Sequence, residues 1–351
     1  VDVHDHVSFE PGIDEAAPAG LRRAAVTADG NTLTSVVTSS PTSNRSRSTS
    51  RRPNGQQLQL WALRAAWVIV AFVCGPVATE VIGAAADSTV AVLLEAALWI
   101  GWFVGLVATL VPHPISLTVL RILAPTVAGV GVLIGLTDRW TASLGVAIVY
   151  GLFASAVTLL PAVGDQMVNG SAYGSERRMA LRAPAAALVG PVPVAWLVAF
   201  AGLVTWAWLA AAGQRLLAIA AAVIGVPLIL AAGRVLHQLS RRWIVFVPAG
   251  FVLHDLFHLT EPVLLARSTI SSLGPAPVDG APDRLDFSGG ALGLALEVET
   301  KDTITFSRRR GRDAELVDSR NIVFSPTLPG ALLSEARGRG IKIGEPGHVA
   351  G

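Results

Sequence analysis

The sequence predicts an α-helical membrane bundle of six transmembrane helices followed by a small β-rich α+β domain. Three observations predict it. Only 15% of residues are charged, against about 25% in an ordinary soluble protein. The deficit is regional, with a nearly charge-free middle between polar ends, as in an integral membrane protein with extensions. Beyond Leu236 the long apolar runs give way to short segments alternating apolar and polar with a period of two, the mark of half-buried strands.

Residues 1–57 are expected to be a disordered polar tail. The stretch "TSSPTSNRSRSTSRRPNGQQ" has no apolar periodicity and buries too little surface to offset chain entropy. The first apolar run begins near residue 60 and is long enough to be a retained helix rather than a cleaved signal. A helix needs about 20 apolar residues to cross hydrocarbon. Six such runs fill a membrane domain at 58–240: Leu60 to Ile82, Val90 to Val111, Ile115 to Leu136, Ala142 to Val163, Leu188 to Ala211 and Leu216 to Leu236. The first four are joined by short loops, so they pack as antiparallel neighbours. Trp61, Trp99, Trp102, Trp140, Trp206 and Trp208 fall near span ends, where indoles anchor at the interface. Gly101/Gly105 and Gly131/Gly135 have the spacing that lets helices approach closely.

Arginine counting orients the bundle. One set of flanks carries Arg51, Arg52, Arg64, Arg121, Arg177, Arg178, Arg182, Arg234, Arg241 and Arg242, and the other only Arg139 and Arg215. The rich side is expected to be cytoplasmic, which puts the protein in the plasma (inner) membrane with both termini inside. The single cysteine, Cys74, excludes an intramolecular disulfide and a thiolate metal site.

In "RRWIVFVPAGFVLHD", residues 243–247 and 251–253 are too short to span and rich in β-branched and aromatic side chains. Pro248-Ala249-Gly250 is turn chemistry, so a β-hairpin is expected directly after the sixth helix. A domain over 241–343 follows, with a flexible tail at 344–351. Leu292, Leu294, Leu296 and Val298 fall on one strand face, Thr300-Lys301-Asp302 reads as a turn, and Ile304 and Phe306 resume the pattern. "NIVF" at 321–324 is another strand, and 274–290 is a turn-rich insert. A closing helix is expected with Ser325 or Thr327 as cap, Pro329 early, an apolar stripe at Leu332, Leu333 and Ala336, and Gly338 and Gly340 as its end.

Strands closed by one C-terminal helix and attached to membrane helices resemble the bacterial pleckstrin-homology-like domains. "RRWIVFVPAGFVLHD" is similar to the opening of such modules. "VNGSAYGSERRMALRAP" and "NIVFSPTLPGALLSEARGRGI" resemble segments of uncharacterised actinobacterial multi-pass membrane proteins. The resemblance covers about residues 60 to 343. It implies a fold and a membrane setting, and carries over no functional residue.

The sequence contains no nucleophile elbow, Walker loop, kinase signature or plausible catalytic triad, which weighs against an enzyme, and no catalytic residue or cofactor is expected. His254, Asp255 and His258 are the weak metal candidates. On a strand, residues 254 and 258 lie about 13 Å apart, too far for one ion, so no metal is expected. Glu95 is the one acidic residue well inside a span, and an ionisable group in hydrocarbon is costly and often functional; it is the transport candidate. Arg308, Arg309, Arg310 and Arg312, with Arg177, Arg178 and Arg182 on the same expected side, are the candidates for lipid or partner binding. No nucleic-acid motif or aromatic platform accompanies them, so no nucleic acid is expected. The expected role is that of a non-catalytic membrane-anchored scaffold or regulatory protein. Its cytoplasmic domain would bind lipid headgroups or another membrane or cytoplasmic protein. The alternative is a small-solute transporter or channel, with Pro76, Pro125, Pro191, Pro193 and Pro227 marking broken helices.

Overall fold

The computed structural model describes residues 55–137, 140–278, 283–311 and 313–344, which belong to one compact unit. All but the last few residues of the expected N-terminal tail, and nearly all of the C-terminal tail, lie outside the described residues.

The first span is α1 (Gly55–Val73) and α2 (Gly75–Ala85), interrupted at Cys74. Pro76 sits in the first turn of α2, where a missing N–H costs nothing. Asp87 caps α3 (Ser88–Leu110) by accepting from Val90 N at 2.9 Å. Next come α4 (Pro114–Thr137), with Pro125 inside it, and α5 (Ala142–Leu159), which Thr141 caps. A short helix, α6 (Pro161–Asn169), leads to a strand, β1 (Arg177–Ala180). The fifth span comprises α7 (Ala185–Val189) and α8 (Pro191–Ala211), and the sixth is α9 (Arg215–Leu239), with Pro227 inside.

Among the described residues, six helical stretches are long and apolar enough to cross a membrane, at the six expected places. Two boundaries differ. The fourth stretch ends at Leu159, because the chain is extended at Leu160 before Pro161 opens α6. The fifth begins at Ala185 and breaks at Gly190. Large apolar side chains such as Phe72, Val149, Leu216 and Leu230 stand exposed on the helices, a surface suited to hydrocarbon rather than water.

Inside the bundle, α1 and α3 are cross-linked by two reciprocal bonds. Trp67 Nε1 donates to Trp102 O at 2.9 Å, and Trp102 Nε1 donates to Trp67 O at 3.1 Å. Gly105 makes room for this: a Cβ there would lie 2.0 Å from the Trp67 ring. Of the other three expected packing glycines, Gly131 faces Ile148 and Gly135 faces Trp140, while Gly101 has nothing within 4 Å of its missing Cβ.

The β region comprises β2 (Arg242–Val247), β3 (Gly250–Asp255), β4 (Val263–Ala266), β5 (Ile270–Pro275), β6 (Leu285–Asp286), β7 (Leu296–Arg310) and β8 (Asp313–Phe324), closed by α10 (Pro329–Gly338). One sheet has the order β1-β2-β3-β4 and the other β5-β7-β8-β6. The expected hairpin is β2–β3, with Val247 opposite Gly250 around a two-residue turn. Only glycine fits at 250, since a Cβ would meet Leu265 O of β4 at 2.1 Å. The edge strand β1 pairs antiparallel with β2, Arg178 opposite Val245. This strand comes from between the fourth and fifth helical stretches, a segment that reads as a loop in the sequence.

Three further expectations are corrected. Leu292 and Leu294 precede β7 and are exposed. Thr300-Lys301-Asp302 does not turn: it lies at an irregularity inside β7 between Glu299 and Ile304. Buried Thr300 Oγ1 lies there 2.8 Å from Asp302 O and 3.0 Å from Arg320 O, its one proton shared between the two strands. Helix α10 has no side-chain cap, neither Ser325 nor Thr327 serving. Its end is as expected. Gly340 takes φ +74°, Gly340 N bonds Arg337 O, and Ile341 N bonds Ala336 O, the bond pair of a Schellman motif. Leu332 and Ala336 reach the core formed by Ile244, Phe246, Phe251, Leu253, Phe306 and Phe324.

Candidate functional site

The first residue of β2 ties several segments of the β region together. Arg242 is fully buried and forks onto Asp255, Nε donating to Oδ1 at 2.9 Å and Nη2 to Oδ2 at 2.7 Å. Its remaining donors reach Phe287 O at 2.8 Å and Arg182 O at 2.5 Å. His258 Nδ1 lies 2.9 Å from Asp255 Oδ2. The hairpin register sets the first contact, since Arg242 stands directly opposite Asp255. Burial alone would push the Asp255 carboxyl up. Hydrogen bonds from His258 and Arg242, with the charge of Arg242, outweigh it and hold the carboxyl at about 2.

The three metal candidates are therefore split. The Asp255 carboxylate is occupied by Arg242 and His258, and it is fully buried rather than at a solvated strand end. His254, one residue earlier on the strand, stacks on Trp243 at 4.6 Å with its Nδ1 3.0 Å from Arg241 O. Among the described residues no group of three His, Cys, Asp or Glu side chains is placed to hold a metal.

The arginine candidates also divide. Arg177 pairs with buried Asp165 at 3.1 Å. That carboxyl is raised by burial, against which the charge of Arg177 and the N–H of Ala180 act. Arg178 bonds Ser171 at 2.8 Å and Glu176 at 3.4 Å. Arg182 clamps the carbonyls of Pro326 and Leu292 at 3.1 and 2.9 Å. All three hold the β1 segment in place. Arg308, Arg309 and Arg310 are exposed on the β7–β8 hairpin, and Arg310 pairs loosely with Glu315 at 3.6 Å. Among the described residues Arg308 and Arg309 have no side-chain partner; Arg312 lies outside them.

The tip of the hairpin, where Arg310 stands opposite Asp313, is pinned to the segment after β3. Arg309 N donates to His258 O, and Leu259 bridges Arg308. A Cβ on Gly289 would touch both His258 and Pro184, the residue before α7. Phe257, Leu292 and Leu294 are exposed on the segments at this same end, and Leu316 on the hairpin itself.

Between the helices and this end lies a cavity of about 660 Å³. Leu117, Leu159, Leu188, Val192 and Leu236 give it apolar walls, and Arg121 of α4 and Trp196 of α8 line it as well. Thr118 ties its α4 wall to α9, with Oγ1 3.1 Å from His237 Nδ1 and donating to Ser240 Oγ at 3.2 Å. Arg182 and Arg242 reach the cavity but their donors are engaged as described. Arg121 is different: its Nε is buried without a hydrogen-bond partner, and so is Trp196 Nε1. Sequence reading placed Arg121 only as an orientation charge. The signal that marks it is its position seven residues into an otherwise apolar helix.

Glu95 is half-buried on α3 and lines neither this cavity nor a second one of about 300 Å³ inside the bundle. That second cavity is walled by apolar and aromatic side chains, among them Trp67, Trp99, Trp102, Val130 and Leu203. No protein-family model matches the chain, and neither the curated proteins nor the solved structures contain a significant match to it.

Proposed function

We propose that this chain is a non-catalytic regulatory or scaffold protein of the plasma membrane whose β region reads anionic lipid headgroups. On this reading the six helices cross the membrane and both ends face the cytoplasm. The charge asymmetry supports that orientation. Arg177, Arg178, Arg182, Arg241 and Arg242 lie with the β region, whereas the opposite helix ends carry Arg215 facing Asp87. The β region is read as a pleckstrin-homology-like module of an actinobacterial-type multi-pass protein. Its two four-stranded sheets closed by one C-terminal helix support that assignment.

The observation that carries the function is the basic hairpin at the helix-facing end. Its guanidinium groups are exposed and mostly unpaired, and apolar Leu316 is 74% exposed between them and the core. Arginine near an anionic surface gains about 1 kcal/mol per residue, and an exposed leucine gains by entering the acyl boundary. A hairpin tip held where the helices leave hydrocarbon meets both at once. The test places an environment-sensitive fluorophore at Leu316→Cys in a Cys74→Ser background, in nanodiscs. Emission should shift to the blue, and brominated lipids should quench it, with phosphatidylglycerol present. Both effects should shrink with Arg308→Gln, Arg309→Gln and Arg310→Gln combined. Emission typical of water in every lipid composition would overturn the reading.

A further inference from the structure

We infer that the junction cavity is a binding site for a single anionic amphiphile, a membrane lipid whose phosphate is held by Arg121 and whose acyl chain lies against the apolar walls. This site is distinct from the hairpin and rests on different residues.

Three observations carry it. The first is an uncompensated charge. Arg177 pairs with Asp165, Arg242 with Asp255, and Arg182 with main-chain carbonyls. Arg121 faces no carboxylate, since no Asp or Glu is among the residues lining the cavity, and its Nε is buried without an acceptor. A buried guanidinium cannot shed its charge, because its proton is held too tightly. It is stable in an apolar setting only with an anionic or strongly accepting partner. The second is that Trp196 Nε1, on another helix lining the same cavity, is also a buried donor without an acceptor. An indole N–H only donates. Both residues line the one cavity, from α4 and α8, so a ligand there that supplies acceptor oxygens answers an unmet need, and the guanidinium selects a negative one. Gly164 keeps the space beside that group, as a Cβ there would come within 3.2 Å of Arg121 Nη2.

The third observation decides between a soluble anion and a lipid. The remaining walls are mostly hydrocarbon, which a small inorganic anion would leave unfilled and a chain of methylenes fills. The cavity also reaches the outer surface of the bundle at the break between α7 and α8. Leu188 lines it and is 50% exposed, and the adjacent Val189 is 85% exposed. A chain can therefore pass sideways from the surrounding bilayer over apolar surface, its headgroup remaining at the level where the helices end.

The test uses the full-length protein in nanodiscs of mixed phosphatidylglycerol and phosphatidylcholine, released into mild detergent for native mass spectrometry. The wild type should retain one phosphatidylglycerol per chain in strong preference to phosphatidylcholine. Arg121→Gln should lose that preference at least tenfold, and Arg121→Lys should keep most of it. Arg215→Gln, on the opposite helix ends, should behave as wild type. Equal retention by wild type and Arg121→Gln would sink the proposal, as would competition by inorganic phosphate as effective as by the lipid. If Arg121→Gln does not accumulate as folded protein, Trp196→Phe supplies the answer. It keeps the ring and removes one donor, so anionic retention should fall about threefold or more, and unchanged retention again counts against the site.

Discussion

At the scale of single residues, the tie between Arg242 and Asp255 decides whether the β2–β3 hairpin holds to the segments around Arg182 and Phe287. Both side chains are essentially without solvent exposure. Removing one partner of a buried pair strands the other charge and costs about 3–5 kcal/mol. Asp255→Asn is therefore expected to lower the unfolding midpoint of the detergent-solubilised protein by many degrees, measured by tryptophan fluorescence. The acid limb gives an independent check. The folded carboxyl lies at about 2, below its unfolded value of about 3.9. The stabilisation is thus complete above about pH 4 and is lost as pH falls towards 2. Asp255→Asn should flatten that part of the profile. His254 adds a dependence of the same sign, beginning at a higher pH. Burial, then the charge of Arg241, lowers its imidazole against the help of the Arg241 carbonyl. The neutral ring stacked on Trp243 is favoured, so stability should fall as pH drops below about 6.5. His254→Phe should remove that dependence in the same assay. The Arg242–Asp255 pair was legible in principle. Once a two-residue turn at Pro248-Ala249 is accepted, antiparallel counting places 242 opposite 255. Reading the histidines and the aspartate as one polar cluster hid it, since adjacent strand residues point to opposite faces.

At the scale of elements, composition and periodicity located the helices well, because a span needs little beyond length and the absence of charge. They did less well with strands. The segment 177–180 is short and half arginine, so it shows no alternation; its pairing depends on β2, far along the chain. The long β7–β8 hairpin was split in the sequence reading because Thr300-Lys301-Asp302 has turn-like residues. The Thr300 side chain instead bridges an irregular ladder. Among helices, the spacing of Gly101 and Gly105 was informative for only one member. Gly105 admits Trp67, whose indole and that of Trp102 bond across to each other's helix. Gly105→Ala should drive a methyl group into the Trp67 ring. A loss of about 1–3 kcal/mol is the usual cost of such overpacking, and a lowered midpoint in thermal unfolding measures it. Trp67→Phe should be less sensitive to the added methyl, because the smaller ring leaves room. Additive losses in the double variant would argue against the contact.

At the scale of the whole molecule, the helices and the sheets are not two beads on a string. The β1 strand leaves one helix pair and returns to the next, completing a sheet whose other strands follow the last helix. Cysteines at Arg178→Cys and Val245→Cys, opposite each other across the β1–β2 ladder, should cross-link under mild oxidation in a Cys74→Ser background. The product should appear as a mobility shift on a non-reducing gel, and its absence would deny the pairing. The order of synthesis gives this strand a further consequence. Arg177–Ala180 leaves the ribosome some 60 residues before its neighbour Arg242–Val247. At bacterial or eukaryotic elongation speeds that is an interval of about 3–12 s, during which the residues of α7, α8 and α9 are made. For that time the nascent chain displays a bare edge with open main-chain donors and acceptors. Its charged flank of Arg177 and Arg178 is well suited to keep other nascent chains from pairing with it.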